Sequence, residues 1–118
     1  MISALPAEAN MPVYMVIESR ARDAAAYTQY IQKVGPIVEK YGGRYLVQGG
    51  KVTSVGGGWA PERMIIMEFP SEESVRRWLS SPEYREIAPL REHGADTRAV
   101  LLEGVPENSA SQDARSRP

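Results

Sequence analysis

The run Met64-Ile65-Ile66-Met67-Glu68-Phe69 has the length and residue types of a β-strand, but not the in/out alternation of a strand with one wet side. Val13-Tyr14-Met15-Val16-Ile17 and Ala99-Val100-Leu101-Leu102 have the same character. Each run presents apolar side chains to both faces of its sheet. Only two amphipathic helical stretches accompany them, enough to cover one face. The second face needs a cover from outside the chain, and another copy of the chain is the simplest one. The pattern predicts a homodimer with sheets packed face to face.

Between the first two strands, Asp23 stands where a helix N-cap belongs. From there Tyr27, Tyr30, Ile31, Val34, Ile37, Val38 and Tyr41 recur at steps of three and four, one apolar stripe on a helix. Gly42-Gly43 ends it, and Gly35-Pro36 inside it predicts a kink. Arg44 to Gln48 reads as a second strand. Gly49-Gly50 bends the chain, Lys51 to Val55 reads as extended, and Gly56-Gly57-Gly58 opens a loop before Trp59. Glu62 to Phe69 is the third strand. Ser71 caps a helix with Val75, Trp78 and Leu79 as its buried face, and Ser81-Pro82 restarts a helix carrying Tyr84, Ile87 and Leu90. A polar turn, Arg91 to Asp96, then leads to a last strand over Thr97 to Glu103.

The order is βαββαβ. Right-handed crossovers place both helical segments on one face of a four-stranded antiparallel sheet, an α+β ferredoxin-like fold. Residues 12–105 form the domain. Residues 1–11 read as a poorly ordered extension, and Met11-Pro12 reads equally well as an original start. Residues 106–118, rich in Ser, Asn and charge, read as a disordered tail.

At 118 residues the chain is one domain. A domain this small buries only about two-thirds of its unfolded surface, so burial by association matters. Net charge is −1 with no basic block, which argues against nucleic acid. The chain has no cysteine, which excludes disulfides and thiolate chemistry and is compatible with the cytoplasm. No apolar run approaches the roughly 20 residues of a membrane span, and the start lacks the charge and apolar core of a signal peptide. One histidine and scattered carboxylates give no metal-ligand spacing. The glycine clusters lack the strand-to-helix setting of a phosphate loop, so no cofactor is expected.

Several segments in sequence resemble a known family. Tyr41-Gly42-Gly43-Arg44-Tyr45-Leu46-Val47-Gln48-Gly49-Gly50, then Glu68-Phe69-Pro70-Ser71, then Ser81-Pro82-Glu83-Tyr84, are similar to the family catalogued as domain of unknown function 1330, over roughly residues 12 to 105. The resemblance implies a dimeric α+β barrel, related in architecture to small cofactor-free monooxygenases, muconolactone-isomerase-like proteins and stress-response barrels. It implies no reaction. Relatives commonly show Arg-Gly-Gly where this chain has Gln48-Gly49-Gly50, so an anion-binding role for that arginine does not carry over.

Three side chains are candidates for catalysis. His93 has the only side chain titrating near neutrality when unperturbed, and beside Arg91 it reads as a general base, with the arginine holding a carboxylate or enolate. The plainer reading is a solvated loop histidine, with Arg91 in a structural ion pair to Glu83 or Glu86. Glu68, inside its strand, reads as a proton shuttle facing a half-buried cavity. Its plainer reading is a pair with Arg44 or Arg63. Tyr27, Tyr45 and Trp59 are candidates for an aromatic ligand pocket, Trp59 alternatively plugging a partner subunit. The expected function is to bind or transform a small hydrophobic or aromatic carbonyl compound without a cofactor. The alternatives are a non-catalytic ligand-binding or stress-associated barrel, and a structural dimer with a filled pocket.

Overall fold

The computed structural model describes residues 11–106. Residues 1–10 of the expected extension and 107–118 of the expected tail lie outside the described residues. The elements run β1 (Val13–Ala21), α1 (Ala24–Lys40), β2 (Arg44–Gln48), β3 (Arg63–Phe69), α2 (Glu72–Leu79), α3 (Pro82–Gly94) and β4 (Ala95–Glu103). The strands form one antiparallel sheet in the order β2-β3-β1-β4, the ferredoxin-like arrangement.

Helix starts follow their caps. The Asp23 carboxylate accepts the N–H groups of Ala25 and Ala26 at 3.1 and 3.2 Å. The second helical segment is two helices, because Ser81 interrupts it. Its hydroxyl donates to the Trp78 carbonyl at 2.8 Å and accepts the Tyr84 N–H at 3.1 Å, closing α2 and opening α3 with one side chain. Pro82 follows at the first helical position, where its missing N–H costs nothing.

Strand parity sorts the side chains. Ile65, Met67 and Phe69 of β3 and Val13, Met15, Ile17 and Ser19 of β1 face the helices. Phe69 and Trp78 stack with ring centroids 5.4 Å apart, and Tyr84 packs against Trp78 at 4.9 Å. Opposite lie Tyr14, Val16, Met64, Ile66, Val100 and Leu102, cross-strand neighbours on a face with no helix over it. Two ion pairs border this open face, Arg44 to Glu68 at 2.7 Å and Arg98 to Glu18 at 2.9 Å.

Two expectations need correction. The polar turn at Arg91 to Asp96 is absent: α3 runs to Gly94 and β4 starts at Ala95 without a linker. A direct passage is possible because the Gly94 carbonyl accepts the N–H groups of Arg22 and Asp23, tying the junction to the start of α1. Leu79 is exposed rather than buried.

Candidate functional site

A slot opens between α1 and the helix-facing side of the sheet. Its volume is about 40 Å³, and an adjoining cleft of about 260 Å³ shares Ile17, Tyr30, Trp78, Arg91 and Thr97 with it. The slot has room for a few water molecules or a small polar group. The cleft beside it approaches the few hundred Å³ of small-ligand sites.

One cross-strand row lies beneath the slot. Arg63 of β3 pairs with Ser19 of β1, which pairs in turn with Thr97 of β4. Adjacent strands are about 4.8 Å apart, so Arg63 and Thr97 flank Ser19 from either side. Ser19 is fully buried and donates its hydroxyl to the Tyr27 oxygen at 2.6 Å. That leaves the Tyr27 phenol proton available to another acceptor. Arg91 reaches down from α3 to the Thr97 hydroxyl at 2.5 Å. Arg63 lies over the Tyr27 ring, its guanidinium carbon 5.8 Å from the ring centre.

Aromatic rings make the walls. Tyr27 and Tyr30 stack with centroids 6.2 Å apart, a consequence of their spacing on α1. The Tyr30 and Tyr84 hydroxyls stand 3.0 Å apart. Burial raises the Tyr30 phenol far above its ordinary range, with the Tyr84 phenol adding to the shift and the Arg91 charge opposing it. Burial also pushes Tyr45 up to about 12, with smaller contributions from Tyr84 and Tyr27. Both are neutral hydrogen-bonding phenols at physiological pH. Among the described residues, no carboxylate and no histidine lines the slot.

Of the residues expected from the sequence, Arg91, Tyr27 and Tyr45 come together here. The other three lie elsewhere. Glu68 is on the opposite side of the sheet, where parity puts it. It accepts from Arg44, and from the Tyr14 hydroxyl at 3.2 Å, instead of facing a half-buried cavity. His93 is in the last turn of α3 rather than in a loop, exposed, with Nε2 3.1 Å from the Asp23 carboxylate. Trp59 is exposed and edges a depression on the open face with Val16, Met64 and Val100. Glu83 pairs with Lys40 and Tyr41, not with Arg91.

Sequence reasoning missed Arg63, Gln48 and the cavity side of Trp78. Gln48 brings a neutral amide to the slot. Trp78 is core and wall at once, only 2% exposed, and its indole Nε1 has no hydrogen-bond acceptor among the described residues. Strand parity was the available signal for Arg63, since it is two residues from inward-facing Ile65. Among the described residues, no group of three or more His, Cys, Asp or Glu side chains is placed to hold a metal ion.

Solved structures share this fold. A protein of unknown function from Rhodopseudomonas palustris is 26% identical, with a TM-score of 0.69 over 81% of this chain and 84% of its own. A dimeric ferredoxin-like protein of unknown function from Thermobifida fusca is 17% identical, with a TM-score of 0.55 over 79% and 91%. SnoaB, a cofactor-independent oxygenase from Streptomyces nogalater, is 12% identical, with a TM-score of 0.54 over 77% and 90%. The last two likenesses concern the fold alone. No curated protein matches the sequence. The family described as "Domain of unknown function (DUF1330)" matches residues 12–105, and with nearly the whole domain covered, the chain belongs to that family.

Proposed function

We propose that the protein acts as a cytoplasmic homodimer whose subunits join through their open sheet faces, and that the cleft under α1 binds a small aromatic or hydrophobic carbonyl compound without a cofactor. The observation that carries the ligand reading is the composition of the cleft: stacked tyrosines and Trp78 for a flat apolar body, and Arg91 with phenol hydroxyls for an oxygen. A structural dimer with a filled interior fits less well, because the two cavities remain open beside rings that would have to fill them.

The open face supports the dimer. Val16, Met64 and Ile66 are only partly buried, and Val100 and Leu102 are about half exposed. Trp59 stands over that face, where a partner subunit would cover it. The Thermobifida fusca neighbour is described as dimeric, in keeping with this reading. The cysteine-free sequence suits a reducing compartment. Among the described residues, no helix is long and apolar enough to cross a membrane.

Binding suits the cleft better than base catalysis. Proton abstraction near neutral pH needs a group poised there, and the cleft offers raised phenols and guanidiniums instead. The test is native mass spectrometry of protein purified under mild conditions. A dimer retaining a small molecule is expected. A monomer, or a dimer that stays empty and takes up no aromatic carbonyl probe such as acetophenone at millimolar concentration, overturns the reading.

A further inference from the structure

The slot holds positive charge with nothing to balance it. Arg63 and Arg91 both line it, and guanidinium stays charged at every physiological pH. Neither is in an ion pair among the described residues, although Arg44, Arg76 and Arg98 each have a carboxylate partner. Arg91 bonds only to a neutral hydroxyl, Thr97. Two nitrogens on side chains that line the slot are buried and without a partner among the described residues, Arg63 Nε and Trp78 Nε1. Buried donors of this kind are costly unless an acceptor meets them.

The placement is built, not incidental. Arg63 is held between the Tyr27 ring and the backbone at Gly49, where φ is +78° and a β-carbon would come within 2.0 Å of the guanidinium. Arg91 is held by Thr97, one strand away from Ser19 on the opposite side from Arg63. Tyr27, between them, has its phenol proton left over. Four donor-bearing side chains thus line one narrow space, and among the described residues its lining contains no acid that would compete for them.

Resting on the reading of the cleft as a carbonyl-compound site, we infer that its ligand is an anion, specifically an arene carboxylate. The flat ring occupies the adjoining cleft, among Tyr30, Trp78 and Tyr84, and its carboxylate points into the slot. The carboxylate oxygens accept from the guanidiniums of Arg63 and Arg91 and from the Trp78 indole N–H. The planar guanidinium fork matches a carboxylate, which supplies several acceptor sites at once. A neutral ketone or amide offers one carbonyl oxygen and leaves the two cations without a counter-charge.

The experiment is calorimetric titration of the full chain with benzoate and with benzamide, which has nearly the same shape and no charge. Benzoate is expected to bind at least about tenfold more tightly, the scale on which charge-assisted bonds exceed neutral ones. Arg63→Met and Arg91→Met should each reduce that preference to within roughly threefold. Trp78→Phe keeps a ring in the core and should weaken benzoate by several-fold, with circular dichroism confirming the fold. Equal binding of the two probes overturns the anion inference and leaves the carbonyl-compound reading intact. A benzoate preference unchanged in both arginine variants also overturns it. Binding of neither probe, nor of acetophenone, overturns both.

Discussion

His93 Nε2 stands 3.1 Å from Asp23 Oδ2, so the end of α3 is pinned to the cap of α1. The contact is exposed, and it occupies the one imidazole that the sequence offered as a general base. Asp23 is held below its ordinary carboxyl range, first by the Ala26 N–H and further by His93. Replacing His93 by Ala should leave ligand affinity unchanged and alter stability by less than about 1 kcal/mol. Asp23→Ala removes the cap of α1 and should lower the urea midpoint more than the His93 change does. Urea denaturation and probe titration of both variants check this.

Gly94 permits the same junction to close. A β-carbon there would lie 2.7 Å from the Tyr27 backbone nitrogen and 2.9 Å from its α-carbon. Backbone cannot step aside as a flexible side chain does. Gly94→Ala should cost about 1–3 kcal/mol and, by shifting Tyr27, weaken ligand binding as well. Denaturation midpoints and benzoate affinity measured on one preparation test the two effects together.

The acid limb of stability should depend on Glu83. Its carboxyl is lowered to about 2, chiefly by the Lys40 ammonium and also by the Tyr41 hydroxyl. A folded-state value below the unfolded one contributes stability that is complete above the unfolded carboxyl range. That contribution is lost as pH falls from there through about 2. Glu83→Gln should therefore lose stability relative to the parent at about pH 6, and the gap should narrow toward about pH 3. Urea midpoints across this range measure it.

The open face is tested at its centre. Ile66 pairs with Val16, which pairs with Val100 on the other side. Ile66→Asp places a charge where two sheets would meet, and analytical ultracentrifugation should show monomer where the parent sediments as dimer. A dimer that survives this change would move the interface elsewhere.

Gly49→Ala links the fold to the site. Its φ of +78° and the 2.0 Å approach to Arg63 mean that the substitution strains the turn and displaces the arginine. Stability should fall by about 1 kcal/mol or more, and the preference for benzoate over benzamide should shrink. The two readings come from denaturation and calorimetry.

Much of the fold was legible because helix caps and apolar spacing are local. Asp23, Ser71 and Ser81 announce their helices, and the stripe from Tyr27 to Tyr41 fixes the face of α1. The site was legible where a residue rode on such a stripe, as Tyr27 does. Glu68 was misplaced because Met64-Ile65-Ile66-Met67 is apolar throughout, and a run without alternation hides which neighbours point inward. Arg63 was overlooked for the same reason. His93 was read as a loop residue because a proline and charged residues imitate a turn, while the long-range bonds from Arg22 and Asp23 to Gly94 carry the helix on to β4.

β4 forms a border of the sheet, nine residues long, with Val100, Leu101 and Leu102 all in contact with water. A newly made subunit alone thus offers strangers a ready template for fibrillar self-recognition. Packing two sheets face to face would leave this edge unpaired, so solubility rests on the edge strand itself.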